Sequence, residues 1–280
     1  TEFSSSNFDT AIKCNNDTHM RTRLICDSRY EEARGFLLSL TRGEGPVLRT
    51  FCDNRNKVWL TMHGDERWVV KRYKRPTLLN RFVYATLRPS KAERAFRYAY
   101  RLLDAGFDTA QPVAYIETFR HGMFDIGYFI SRHVDLPDLT QLDGLGGDER
   151  QRLFDDLGRH TARMHDAGIV DFDYNVHNIL WRRDGSGGFR FTLVDINRTR
   201  FGDRRLLHCA IALATNAELP RFIDSYCAAR RLDRGQFDKM VAIGIRRTEA
   251  RNHMHAKIKE AKERHRQRNT AGKGEKTKVE

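Results

Sequence analysis

The sequence predicts a two-lobed α+β chain, with a small five-stranded antiparallel sheet and one helix preceding a mainly helical half. Three observations carry this. Short apolar and β-branched runs separated by turn residues fill Pro46 to Tyr73 and return at Pro112–Glu117 and Gly127–Ser131. One capped helical pattern, Ser90 to Ala105, stands between them. From Gly147 onward, apolar residues recur at spacings of three and four over long stretches.

Taken in order, Pro46–Phe51 and Val58–Met62 form a strand pair around Cys52–Lys57, and His63-Gly64-Asp65 turns into the strand Glu66–Tyr73. Period-two alternation in that strand puts Trp68 and Val70 on one face and Val69 with Lys71 on the other. Lys71 therefore points with an apolar neighbour, although Arg72, Lys74 and Arg75 also allow a solvated basic edge. A lysine at such a place can meet the α- and β-phosphates of a nucleotide. The hairpin before it contains no glycine, so backbone amides are not freed to approach phosphate. Asn54, Arg55, Asn56 and Lys57 would have to substitute side-chain amides and cations, which makes Asn56 a nucleotide-binding candidate.

Ser90 reads as the N-cap of the helix that follows, and Ala95, Ala99, Leu102 and Leu103 form its apolar stripe. Glu93 serves equally well as the capping-box acid or as the acid that orients Lys71. The helix stops at Gly106. Two strands follow, and Ser131–Val134 is placed as a hinge for the edge of an adenine.

Beyond the hinge, Gly147 to Ala167 is helical, with Leu153, Leu157, His160 and Met164 on one stripe. His160 and His165 read as packed or capping residues, because no third ligand lies at metal spacing. Ile169-Val170 then leads into Asp171-Phe172-Asp173. Five positions after Asp173 comes Asn178, and Asp195 ends the apolar run Phe191–Val194. Ile179–Trp181 and Phe189–Val194 flank a turn rich in Gly and Asp, so the hairpin presents Asn178 and Asp195 side by side. In this pattern Asp173 is the catalytic carboxylate that orients an attacking hydroxyl or accepts its proton. The Asn178 amide oxygen and the Asp195 carboxylate hold magnesium ions against nucleotide phosphates. Helices over Arg204–Asn216, Pro220–Ala229 and Arg234–His255 complete the second half, and the basic residues Lys257 to Arg268 lie on a further short helix that fades into Asn269 to Glu280.

Val69-Val70-Lys71, Leu79–Tyr84 with Arg88–Ala92, the loop Asp173–Leu180, and Leu193–Arg198 together resemble the lipopolysaccharide kinase (Kdo/heptose kinase) family, closest to its Bacteroidetes-type members. The resemblance covers about Asp27 to Gly202 well and Asp203 to about Ala250 loosely. It implies a bilobal protein-kinase-like fold and ATP-dependent phosphorylation of an inner-core sugar, Kdo or heptose, of lipopolysaccharide or its lipid A precursor. The family's roles carry over to Lys71, Asp173, Asn178 and Asp195, with ATP and Mg2+ as implied cofactors. They carry over poorly to Glu93, because the family's helix acid aligns nearer Ala95 or Arg97. Asp171 stands where most kinases have a histidine.

The chain of 280 residues suits one two-lobed unit with ample core, and 40% apolar residues with 17 Phe argue against wholesale disorder. No run of eighteen apolar residues is present, so a spanning helix is not expected, nor is an export signal. Five widely spaced cysteines without a C-x-x-C pair fit reduced thiols and a cytoplasmic setting. The expected organisation is an unstructured segment 1–26, a nucleotide-binding lobe 27–132, a catalytic lobe 133–250 and a basic tail 251–280. The formal net charge is +13, and Arg251 to Glu280 hold ten Lys or Arg against four Glu. Such a tail fits the anionic inner-membrane leaflet, nucleic acid, or plain solvation; with a glycolipid acceptor the leaflet is the expected partner and nucleic acid is not. The competing readings are a kinase-like phosphotransferase for a protein or another small molecule, and a pseudokinase or nucleic-acid-binding adaptor.

Overall fold

The computed structural model describes residues 8–14, 20–54, 56–202 and 217–275. Its first layer is an antiparallel seven-stranded sheet in the order β1-β2-β7-β8-β5-β4-β3. The strands are β1 (Phe8–Cys14), β2 (Met20–Asp27), β3 (Arg49–Asp53), β4 (Lys57–His63), β5 (Glu66–Arg72), β7 (Pro112–Arg120) and β8 (Met123–Arg132). The two-residue strand β6 (Asp108–Thr109) belongs to the second lobe's sheet. The five expected strands are all present, and the α+β two-lobed class holds. Two strands exceed the expectation: β1 and β2 occupy a segment read from composition as unstructured. Alternation explains β2. Leu24 and Cys26 turn into the core while Arg21 and Arg23 alternate with them, and composition averages those two faces away.

Three helices accompany this sheet, two more than expected: α1 (Arg34–Thr41), α2 (Leu78–Thr86) and α3 (Lys91–Asp104). Trp68, Val70, Leu24, Ile116 and Ile130 meet Leu37 of α1 on one face. Tyr73, Tyr115, Ala92 and Phe96 of α3 pack on the other. Trp68 and Val70 thus point away from Lys71, as alternation requires. Ser90 caps α3 by accepting the Glu93 backbone N–H at 3.1 Å.

The second lobe is built on α4 (Gly147–Asp166), the hairpin of β10 (Ile179–Arg183) and β11 (Phe189–Leu193), and helices α5 (Leu219–Arg230) and α6 (Arg234–Glu275). Leu153, Phe154, Leu157, Met164, Phe191, Phe222 and Tyr226 form its core. At Gly158 a Cβ would lie 2.6 Å from the Phe222 carbonyl oxygen and 2.9 Å from the Ser225 Cβ, so only glycine lets α4 and α5 approach this closely. His160 stands between Phe107 and Phe191, and His165 bonds the Tyr226 hydroxyl at 2.6 Å, so both histidines are packed. The expected helix Arg204–Asn216 lies outside the described residues. Helix α6 joins the expected helix Arg234–His255 and the expected short basic helix after it into one element that runs on to Glu275. Cys26, Cys52 and Cys227 are free thiols.

Candidate active site

The short strands β9 (Ile169–Asp171) and β12 (Thr199–Phe201) pair antiparallel, with Thr199 opposite Asp171, and pin the ends of the loop region between them. Asp171 is buried. Its carboxylate accepts the Asp173 N–H at 2.7 Å and the Thr199 hydroxyl at 3.2 Å, and burial pushes its pKa up to about 6. Where most kinases have a histidine, this chain uses a buried carboxyl to set the backbone at Asp173.

The Asp173 carbonyl oxygen accepts two side-chain amides, Asn175 Nδ2 at 2.8 Å and Asn178 Nδ2 at 2.9 Å. The Asn175 Oδ1 in turn accepts the His177 N–H at 3.0 Å. With its nitrogen committed to the loop, Asn178 has its Oδ1 left for a cation. The Val194 N–H donates to the Asn178 carbonyl at 2.9 Å, so the hairpin brings Asn178 and Asp195 to one wall. Asp195 has left-handed backbone torsions (φ 56°, ψ 41°), which a short polar side chain tolerates best after glycine. Its Oδ1 accepts Asn197 Nδ2 at 2.5 Å, and its Oδ2 pairs with Lys71 Nζ.

Lys71 comes to this wall from β5, opposite Val58 of β4 and Phe129 of β8. Two cavities meet at the Lys71–Asp195 pair. The first, about 600 Å³, has an apolar ceiling of Phe51, Val58, Leu60 and Val69, and reaches the segment Ser131–Val134. That segment is the expected hinge. Phe51 stacks on His133 across it, with ring centroids 6.1 Å apart, and burial holds the His133 pKa down. A planar base suits such a slot. Asn56 lies on the rim of the second cavity with Lys71. Its Oδ1 accepts the Lys74 N–H at 3.1 Å, which ties the glycine-free hairpin to the end of β5 and leaves its amide nitrogen as the donor.

Glu93 requires a correction. It lines neither cavity and does not meet Lys71. Its carboxylate pairs with Arg97 at 2.5 Å and lies 3.8 Å from Arg23, which also approaches Glu117 at 3.5 Å. The Glu93 backbone N–H is held by Ser90 while its side chain turns to Arg97 and Arg23, and Ala95 is the residue of α3 that lines the first cavity. Among the described residues the carboxylate partner of Lys71 is Asp195.

The second cavity, about 770 Å³, opens beside Asp173. Sequence reasoning missed its lining. Lys91, Arg94, Tyr98 and Arg101 project into it from one face of α3, joined by Arg88, Arg198 and Arg200, against two carboxylates, Asp173 and Asp195. The spacing of three, four and three along α3 was the available signal. Arg101 lies over the Phe201 ring at 3.7 Å, Arg200 over Phe172 at 5.0 Å, and Arg198 stands 3.6 Å from Asp173. The Arg94 Nε is buried without a hydrogen-bond partner among the described residues. Such a chamber favours an anionic occupant.

The donor set at the junction, an amide oxygen and a carboxylate, is hard and oxygen-only, which fits Mg2+ shared with phosphates. Among the described residues no group of three or more His, Cys, Asp or Glu is assembled for a metal. An apolar slot, a lysine paired with Asp195 and a carboxylate beside a cationic chamber stand together here, and the chain is a kinase of protein-kinase-like fold. It belongs to the lipopolysaccharide kinase (Kdo/WaaP) family, whose model matches residues 48–206. It is 23% identical over 182 residues to a 3-deoxy-D-manno-octulosonic acid kinase of Vibrio cholerae, covering 62% of this chain and 68% of that protein. A 3-deoxy-D-manno-octulosonic acid kinase of Mannheimia succiniciproducens is 26% identical over 123 residues, 42% of this chain and about half (49%) of that protein. Among solved structures, WaaP in complex with acyl carrier protein superposes with a TM-score of 0.56 at 16% identity, over 82% of this chain and 98% of that one.

Proposed function

We propose that this chain transfers the γ-phosphoryl group of ATP to a hydroxyl of 3-deoxy-D-manno-octulosonic acid (Kdo) in the lipopolysaccharide inner core or its lipid A precursor. The observation that carries the choice of sugar is the cationic chamber beside Asp173. Kdo bears a carboxylate and heptose is neutral, so a lining of Arg88, Lys91, Arg94, Arg101 and Arg200 favours Kdo. The names of the relatives point the same way.

In this reading the adenine enters the slot under Phe51 and Val58, and Lys71 reaches the α- and β-phosphates. Asn178 Oδ1 and the Asp195 carboxylate would hold Mg2+, which neutralises phosphate charge as it develops. Asp173 accepts the proton of the sugar hydroxyl; the freed oxygen bonds to the γ-phosphorus, the bond to the β,γ-bridging oxygen breaks, and ADP leaves. Positioning and electrostatics supply the rate. No helix among the described residues is long and apolar enough to cross a membrane; we place the enzyme on the cytoplasmic face of the inner membrane, where the precursor is assembled.

The test is incubation of purified protein with labelled ATP, Mg2+ and three acceptors: lipid A, Kdo-bearing lipid A, and a heptose-extended core whose Kdo is capped. Label on the Kdo residue is the expected result. Label on heptose alone, or equal labelling of lipid A lacking Kdo, would refute the assignment.

A further inference from the structure

Helix α2 is inverted. A surface helix of a water-soluble lobe buries its apolar face and exposes its charges. Here Arg81 is the buried residue: its Nε donates to the Phe124 carbonyl at 2.7 Å, and its guanidinium lies 3.4 Å from Asp125. Tyr84 packs edge-on against the Phe124 ring. The opposite face presents Leu78, Leu79 and Phe82 to solvent at 69%, 75% and 56% exposure, and Leu87 follows at 76%. Four large apolar side chains on one short element form a patch that an isolated soluble surface rarely carries.

We propose that α2 is a monotopic docking element that seats Leu78, Leu79, Phe82 and Leu87 in the interface of an anionic lipid bilayer. Charge decides between a bilayer and other occupants. No Asp or Glu occurs from Lys74 to Ala92, while Lys74, Arg75, Arg88 and Lys91 flank the apolar face. Arg75 pairs with Asp125, which Arg81 also approaches, and Lys74, Arg88 and Lys91 add positive charge beside the apolar face, a basic rim of the kind that complements acidic headgroups. Continuity supports the same occupant. Arg88, next to Leu87, and Lys91 both line the chamber beside Asp173. With α2 seated in the interface, the chamber mouth lies at headgroup height, where the sugar of a membrane-anchored acceptor projects. The purpose of docking rests on the acceptor reading above; the binding itself does not. This surface is separate from the basic tail.

The experiment uses the full chain and vesicles of phosphatidylglycerol with phosphatidylcholine. Phe82→Trp should shift its emission to shorter wavelength on mixing and be quenched by lipids brominated on their acyl chains. Trp59, Trp68 and Trp181 are buried and give a constant background. Leu79→Ser with Phe82→Ser, both on the exposed face, should retain the wild-type melting temperature and lose vesicle affinity by about a hundred-fold, roughly ten-fold per apolar side chain withdrawn. Turnover on a water-soluble Kdo acceptor should be unchanged, while turnover on a vesicle-embedded acceptor falls. Unquenched Phe82→Trp together with undiminished sedimentation of the double variant would overturn the proposal. So would absent vesicle binding with wild-type dimers that the double variant dissociates, which would give the face to a second copy. Insertion without phosphorylation of any sugar would leave the docking face standing and remove the acceptor assignment; Kdo phosphorylation without insertion would do the reverse.

Discussion

Asn178 donates its side-chain amide to the backbone carbonyl of Asp173 at 2.9 Å, so one residue both closes the loop at Asp173 and lines the cavity that reaches Ser131–Val134. In the proposed mechanism the two halves of the amide have separate jobs. Neither isosteric loss nor simple truncation should therefore be neutral.

Asn178→Asp keeps an oxygen for the cation but sets a carboxylate against the Asp173 carbonyl. We expect kcat to fall about 10²-fold through misplacement of Asp173, with a smaller change in the Mg2+ dependence of ATP binding. Asn178→Ala should lose both. Steady-state kinetics across Mg2+ concentrations distinguish them; equal defects in the two variants would show that the hydrogen bond is immaterial.

Lys71→Met and Glu93→Gln should part company. Lys71 meets Asp195 at the junction of the two cavities, and its loss should lower kcat/KM on the order of a hundred-fold. Glu93 is engaged with Arg97 and Arg23, so its substitution should cost about 1–2 kcal/mol of stability while leaving ATP affinity nearly unchanged. A matching kinetic loss for Glu93→Gln would restore a lysine–glutamate pair.

Arg94→Ala should raise KM for an anionic acceptor about ten-fold or more, because one of the guanidinium groups lining the chamber is lost. KM for ATP should not move. If competition assays show the reverse pattern, the second cavity does not receive the acceptor.

His160 gives a pH-dependent stability. Burial holds its pKa down at about 4, and in the unfolded chain the imidazole titrates near 6.5. A depressed folded-state value means the unfolded chain binds the proton first. The contribution is therefore present above about pH 6.5 and is lost as pH falls toward 4. Between pH 7 and 5 the loss is about 2 kcal/mol. Urea titrations of wild type and His160→Phe should diverge over that window, with the variant the less acid-sensitive; parallel curves would count against a neutral buried ring.

That Lys71, Asp173, Asn178 and Asp195 come together was legible in the sequence because their cues are local. Alternation in one strand orients Lys71, and a five-residue spacing followed by a hairpin joins Asn178 to Asp195. Glu93 was not resolvable, since capping box and lysine partner require the same residue type, and only packing reveals that Arg23 from β2 claims it. The stripe Lys91, Arg94, Tyr98, Arg101 has clear periodicity, yet a solvated face and a ligand chamber look alike until Asp173 is opposite. The inversion of α2 was equally hidden, because apolar residues in a helix imply burial unless the other face is known to be taken. The continuity of α6 with the basic helix that follows His255 escaped because these turns need no core; pairs such as Glu260 with Arg264, at 3.9 Å, support a solvated helix.

In the proposed mechanism Asp173 acts on the acceptor hydroxyl while Lys71, Asn178 and Asp195 serve the nucleotide. The most direct measurement is phosphoryl transfer to Kdo-bearing lipid A by wild type and Asp173→Asn, beside calorimetric ATP binding at fixed Mg2+. Transfer by the wild type is expected, with loss of about 10²-fold or more in kcat for the variant and ATP affinity within a few-fold of wild type. Undiminished turnover in Asp173→Asn, or collapse of ATP affinity at unaltered stability, would contradict that mechanism.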